Sequence, residues 1–320
     1  MMRKNNITEK RAFKTRASAY GTMLRKDFIR NRSLYVLAIP VIAYFIIFKY
    51  IPMYGLLMAF EDYSPRLGIT GSEWVGLKHF RTFLSTPSFW SVVRNTLSIS
   101  ISQIIFGFPI PIILALLLNE VRSVKYSRFI QNLTYIPHFI SLVVVCGLIT
   151  TFVSSDGIIG GFFSKYADVK GSMLIYPKYF LPIYLISGIW QSVGWDSIIY
   201  LSALTGVDES LYEAARVDGA GRWKQTIHIT IPSILPVIIT MLLLQLGGVL
   251  TVGYEKVLLL QNDSTLEVSE IISSYVYRRG LVNLDWSYST AVNLFNSVIN
   301  IIILLASQAI SRKVSGYTLW

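Results

Sequence analysis

The chain has 320 residues, of which 53% are hydrophobic and only 15% charged; its mean hydropathy is +0.52 and its formal net charge +11. Soluble globular chains carry about 25% charged residues, so too little polar surface is available here to coat a globule. The high hydrophobic fraction and modest Gly and Pro content exclude disorder and collagen-like repetition, and a single cysteine excludes a disulfide scaffold, which leaves an integral membrane protein whose charge has to be located.

Residues 1–33 form an arm with ten Lys/Arg. It is too long and too charged for a cleavable signal, and no small-residue cleavage site follows the first apolar run, so that run is expected to be kept. The arm reads either as a topology determinant or as an amphipathic helix on anionic lipid.

A hydrocarbon core about 30 Å thick is crossed by roughly 20 apolar residues as helix. Six stretches qualify, at 34–58, 96–118, 129–153, 179–204, 233–254 and 290–311. They are continuously apolar, without the alternation of barrel strands. Pro40, Pro109, Pro111 and Pro137 fall inside spans, where kinks are tolerated if neighbours satisfy the freed carbonyls. The expected architecture is all-α: a basic arm (1–33), a six-helix transmembrane domain (34–311) and a short tail (312–320), with both ends in one compartment.

The segments on that side, 1–33, 119–128, 205–232 and 312–320, hold 18 Lys/Arg against seven acids. The opposite segments hold ten of each, and Lys49 and Asp196 within spans cancel. The whole excess therefore lies on one face, which the positive-inside bias places in the cytoplasm. The charge describes orientation, and no nucleic-acid partner is expected.

Chemical signatures are sparse. There is no G-x-x-x-x-G-K-[ST], so the chain has no phosphate cradle of its own. His79, His138 and His228 fall at different sides or depths and make no metal set. Cys146 sits among Val, Leu and Ile and reads as a small core side chain. No catalytic constellation and no convincing internal repeat is present, so the chain is expected not to be an enzyme.

Polar residues within spans are costly toward lipid and should face protein or a water-filled cavity. Span 4 offers Gln191, Trp195 and Asp196; span 5 offers Gln245 and Thr251; span 6 offers Asn293, Asn296 and Asn300 at helical spacing. Each set reads either as lining of a substrate pathway or as hydrogen-bonding glue between helices. The loops 61–95, 154–178 and 259–289 lie outside, and the aromatic Tyr275, Tyr277, Trp286 and Tyr288 suit either a docking protein or loop packing.

One cytoplasmic loop is more than a connector. Segment 205–232, TGVDESLYEAARVDGAGRWKQTIHITIP, carries Ser210 and Glu213 at the spacing of a capping box, after Asp208 and Glu209. Leu211, Ala214, Ala215 and Val217 give a low-profile apolar face, and Gly219 ends the helix. Such a helix suits a cleft on a partner, or is an ordinary interfacial connector.

The run Glu213-Ala214-Ala215, then Gly219, then Ile229-Thr230-Ile231-Pro232 resembles the EAA loop of ABC-importer membrane subunits. Ile231 stands where that pattern has Leu. The stretches FKYIPMYGLLMAFEDYSP, FGFPIPIILALLLNEVRS and VGWDSIIYLSALTGVDESLYEAARVDGAGRW, with the terminal GYTLW, are similar to the LplB-like branch of the maltose-type carbohydrate importers. The resemblance implies a permease in a bacterial plasma membrane, paired with a second permease and two cytosolic ATPases and served by an extracellular solute-binding lipoprotein. ATP and Mg would be held by the ATPases. Glu213, Ala214, Ala215, Asp218, Gly219, Ile229, Ile231 and Pro232 would form the coupling loop, and the substrate would be a carbohydrate, an oligosaccharide in several members of that branch. An ion-driven carrier or a non-transporting scaffold are the rival readings; for the first the spans offer essentially only Asp196 and Lys49 as ionisable coupling groups, and the second has no use for such a loop.

Overall fold

The computed structural model describes residues 30–166 and 170–318, so the basic arm, apart from residues 30–33, lies outside it. Helix α1 (Arg32–Phe45) continues through a π turn (Ile46–Tyr50) and a 3₁₀ stretch (Ile51–Phe60). The compact units of the chain divide between Leu57 and Met58. None of the α1 residues is buried, and Leu34, Leu37 and Phe48 are each more than 60% exposed, a state that an apolar helix sustains in lipid rather than water.

The second unit begins with a two-stranded antiparallel ribbon, β1 (Glu61–Asp62) against β2 (Glu73–Trp74). It continues through α2 (Lys78–Ser85), α3 (Phe89–Ser102), a π turn (Gln103–Gly107) and α4 (Pro109–Glu120). Next come α5 (Val124–Tyr135), a 3₁₀ turn (Ile136–Phe139), α6 (Leu142–Phe152), α7 (Ile158–Tyr166) and α8 (Pro177–Leu204). After α9 (Glu209–Val217), the short α10 (Arg222–Gln225) runs through a π turn (Thr226–Thr230) into α11 (Ile231–Gly247). The chain closes with α12 (Tyr254–Leu260), α13 (Ile272–Tyr277), a π turn (Arg278–Val282) and α14 (Trp286–Val314).

Among the described residues four helices are long and apolar enough to cross a membrane: Arg32–Phe60, Phe89–Glu120, Arg222–Gly247 and Trp286–Val314. The expected third span is not one straight helix. Val124–Phe139 and Leu142–Phe152 meet at 99° and would make a fifth crossing together. Pro137 removes a backbone donor at the break, and Ser141 restarts the helix as N-cap by accepting from the Val144 N–H. The fourth expected span is one 28-residue helix, α8, interrupted in hydropathy by Gln191, Ser192, Asp196 and Ser197. The fifth ends earlier than expected, at Gly247, where glycines and β-branched residues give way to an irregular stretch.

Three of the four π turns sit just before a proline: Pro52, Pro109 and Pro232. A proline ring clashes with the carbonyl four residues back, and widening that turn relieves the clash without breaking the helix.

Apolar side chains gather in three buried groups. Ile99, Cys146, Phe180, Tyr184 and Val257 belong to the largest, so Cys146 is a core residue as its neighbours indicated. Phe83, Val92, Tyr288 and Val292 form the second. Ala115, Tyr200, Leu204 and Ile234 join α4, α8 and α11 in the third, the one nearest the loop that carries α9.

Candidate functional site

Asp208 begins α9: its carboxylate accepts the Ser210 N–H at 2.9 Å. The cap is therefore Asp208, and the expected Ser210–Glu213 capping box does not form because Ser210 already lies inside the helix. Hydrogen bonds from the backbone and side chain of Ser210 hold the Asp208 carboxyl below its usual range. A depressed carboxylate stabilises the fold above its unfolded value and loses that contribution as pH falls through the lowered one. Asp208→Ala is accordingly expected to fray the first turn, read as faster amide exchange at residues 209–211, with wild type converging on the mutant only at acid pH.

Gly219 ends the helix at φ +73, and a Cβ there would meet no atom within 4 Å. Glycine is thus required by backbone conformation and not by crowding, since other residues pay roughly 1 kcal/mol or more in the left-handed region. Ala220 N–H donates back to the Ala215 carbonyl at 2.8 Å, closing the helix end.

The outer surface of α9 is open. Glu213 and Ala214 are exposed, Leu211 is 47% exposed and Val217 88%; Trp223 on α10 is 76% exposed. Leu211, Ala214 and Val217 thus form an uncovered apolar strip flanked by the exposed Glu209, Glu213 and Asp218. The inner surface is tied down. Tyr212 Oη lies 3.0 Å from Thr230 Oγ1, and Thr230 is buried in the π turn leading into α11. Arg222 Nη1 lies 3.3 Å from Glu120 Oε2 at the end of α4; this pair is exposed and worth a few tenths of a kcal/mol, so it orients more than it stabilises. Ile229 falls within that π turn, and Ile231 and Pro232 open α11. Neither the Tyr212–Thr230 contact nor the Arg222–Glu120 pair had a signal in the sequence, because tyrosine, threonine, arginine and glutamate are common in loops.

The eight polar candidates within the spans separate into two groups. Trp195, Asp196 and Gln245 share a cavity of about 730 Å³ between α4, α8 and α11, together with Phe108, Tyr200 and Met241. His138, from the break between α5 and α6, stacks on Trp195 with ring centroids 4.5 Å apart and planes 1° from parallel. It fixes the orientation of the indole, a role the sequence did not indicate across 56 intervening positions. Asn293 lines a different cavity, at the N-terminal end of α14.

Gln191, Asn296 and Asn300 hold backbone, and Thr251 accepts from the Asn300 side chain. Gln191 Nε2 donates to the Ile140 carbonyl at the α5–α6 break (3.4 Å). Asn300 Oδ1 accepts the Leu250 N–H at 3.0 Å, its Nδ2 donates to Thr251 Oγ1 at 2.9 Å, and Asn296 Nδ2 donates to the Leu250 carbonyl at 3.4 Å. Ser100 Oγ donates to the Val249 carbonyl. Irregular backbone at membrane depth is tolerated only where its polar groups are satisfied by protein, and these side chains satisfy residues 249–251. Asn296 and Asn300 therefore bond the 249–251 segment and line neither cavity. Lys256 is buried as well, its Nζ donating to the Tyr184 carbonyl at 2.8 Å and lying 4.7 Å from that ring's centroid.

Residues 24–316 match the family described as "binding-protein-dependent transport system inner membrane component". The chain belongs to that family. It is 44% identical over 286 residues to the polygalacturonan/rhamnogalacturonan transport system permease protein YteP of Bacillus subtilis, covering 89% of each. It is also 44% identical to Protein LplB of the same organism, over 89% of this chain and 90% of that one. The structure resembles that of a bacterial ABC transporter involved in import of the acidic polysaccharide alginate, with a TM-score of 0.83 and 41% identity over 91% of this chain and 99% of that one. The chain is thus an ABC-importer permease with the fold of that class. It is not an enzyme, since ATP hydrolysis in such importers belongs to separate subunits.

Proposed function

We propose that this chain is one half of the translocation pathway of a binding-protein-dependent carbohydrate importer and is driven through α9 by a cytosolic ATPase. The observation that carries the reading is the two-sided geometry of the α9–α10 segment: an uncovered apolar outer strip, and an inner side fastened to α4 through Arg222 of α10 and to the π turn entering α11 through Tyr212 of α9. A motor closing on the strip would move both helices that wall the cavity holding Trp195, Asp196 and Gln245.

In this reading the chain crosses a bacterial plasma membrane six times, counting the bent α5–α6 pair as one crossing and α8 as another. Both termini and α9 face the cytoplasm. Two features support that arrangement: Arg222 and Glu120 meet near α9, and the loops 61–95 and 259–289 are interlinked at the other end, where Asn95 Nδ2 donates to the Glu267 carbonyl at 2.7 Å and Tyr63 N–H to Ser287 Oγ at 2.8 Å. A second permease completes the pathway, a pair of ATPases holds ATP and Mg, and an extracellular solute-binding lipoprotein delivers the substrate. The substrate is an oligosaccharide: relatives are named for polygalacturonan/rhamnogalacturonan and arabinooligosaccharide transport, and the cavity combines a fixed indole with carboxylate, amide and phenol groups.

Gly219→Val and Glu213→Ala in the assembled complex test the reading. Substrate-stimulated ATPase is expected to fall about tenfold while assembly persists, in the range of ordinary coupling energies. Stimulation equal to wild type in both variants would sink it.

A further inference from the structure

The second cavity, about 520 Å³, lies between α12, α13, the following π turn and the start of α14. Tyr254 and Tyr277 stack on one side, centroids 5.4 Å apart and planes 24° from parallel. Trp286 stands on another, backed by the Tyr63 ring at 5.7 Å. Ser273, Thr290 and Asn293 add polar groups. Thr290 Oγ1 spends its proton on the Trp286 carbonyl at 2.7 Å, so its lone pairs remain to accept. Among the described residues the Asn293 amide has no hydrogen-bond partner, leaving two donors and an acceptor at an exposed position.

The lining contains no Asp, Glu, Lys, Arg or His. Nearby cations are committed elsewhere: Arg278 pairs with Glu270 at 3.1 Å, and Arg279 lies over the Tyr275 and Tyr288 rings, 5.9 and 5.2 Å from their centroids. An acyl chain would leave the hydroxyl and amide groups unpaired, and an anion would find no counter-charge. A ring with flat C–H faces and a rim of hydroxyls satisfies both kinds of wall. The helices that carry the lining are braced behind it. Tyr275 and Tyr288 hydroxyls meet at 2.9 Å, and the Ile272 N–H donates to buried Thr96 at 2.9 Å. Pre-formed walls reduce the ordering cost of binding.

We infer that this cavity is a separate saccharide subsite at the extracellular mouth, taking one pyranose ring of an incoming oligosaccharide by its faces and hydroxyls and not by its carboxylate. The inference rests on the proposed function and adds a second station to the pathway, distinct from the cavity of Trp195 and Asp196. An oligosaccharide long enough to reach both stations engages this one, while a disaccharide seated at the inner cavity does not.

The test uses the complete complex with its binding protein in lipid vesicles. The probes are oligogalacturonides of two, three and five residues, each as free acid and methyl ester. Trp286→Ala is expected to raise the half-saturating concentration for pentasaccharide uptake about tenfold, the loss of one aromatic face. The disaccharide value should stay near wild type, and the penalty should be the same for acid and ester. Trp286→Phe should keep most of the affinity, and Asn293→Ala, at an exposed position outside the core, should raise the pentasaccharide value a few-fold. Unchanged pentasaccharide uptake in Trp286→Ala and Asn293→Ala overturns the subsite while leaving the importer reading intact. Equal losses at every length in both variants also overturn it. Should wild type import none of the probes, the carbohydrate reading fails first and this inference with it.

Discussion

Gly194→Val is expected to leave almost no folded protein in the membrane. Gly194 lies in α8 where that helix crosses α5, and a Cβ at this position would stand 2.2 Å from the Thr134 carbonyl oxygen and 2.9 Å from the Tyr135 ring. Two effects oppose each other. Replacing a helical glycine gains up to about 1 kcal/mol of propensity with alanine and less with valine. Overpacking costs about 1–3 kcal/mol even where side chains can yield, and here the obstacle is backbone, so the cost exceeds that range and wins. Close helix approach through small residues is a major source of association in lipid, where burial adds little. Gly147→Ala, on α6 where a Cβ meets nothing within 4 Å, is the matched control and should be neutral or slightly stabilising. Fluorescence-detected size exclusion after graded heating separates the outcomes: Gly194→Ala should already melt well below wild type. A Gly194→Ala protein with wild-type melting would show that the α5–α8 crossing is looser than described.

Asn300→Ala should be the next most damaging change. Its amide serves both the Leu250 N–H and the Thr251 hydroxyl, and Leu250 is buried. Alanine orphans a buried backbone donor, which costs about 1–3 kcal/mol, and leaves a void in addition. Asn300→Asp retains the acceptor for Leu250 but removes the donor to Thr251 and adds a buried charge, so it should be no better. Thr251→Val removes only the exposed end of the network and should cost under about 1 kcal/mol. Amide exchange at Leu250 distinguishes local from global effects: it should accelerate in Asn300→Ala and stay protected in Thr251→Val. Equal protection in all three would mean that the 249–251 segment is held by something other than Asn300.

Local features of this molecule were legible in sequence. Hydropathy located most helices, and the EAA pattern located the loop that carries the exposed helix α9. Periodicity placed Asn293, Asn296 and Asn300 on one face of α14, yet it could not divide them, because the division depends on the helix break at Gly247 bringing residues 249–251 against Asn296 and Asn300 alone. Span 3 looked straight since Ile136–Ser141 is mostly apolar, and the bend arises from Pro137 together with the Ser141 cap. Ser210 looked like a cap by its spacing to Glu213, but Asp208 two residues earlier holds a charged acceptor and prevails. The stack of His138 on Trp195 and the Tyr212–Thr230 contact join distant segments through common residues, and no local pattern foretells them.

The π turns ahead of Pro109 and Pro232 have a consequence for phase. Each inserts one residue relative to an uninterrupted α-helix and so rotates everything downstream by about 100° around the axis. In α10–α11 the rotation falls between Arg222, which faces α4, and the Met241, Leu244 and Gln245 wall of the inner cavity. Proline at 232 therefore acts as an angular setting: it aims the coupling end and the cavity wall of one continuous rod in directions that a regular helix of the same sequence could not combine. Deleting a single residue between Thr226 and Thr230 would restore the regular count and turn Gln245 out of the wall, though no residue that touches the cavity had been changed.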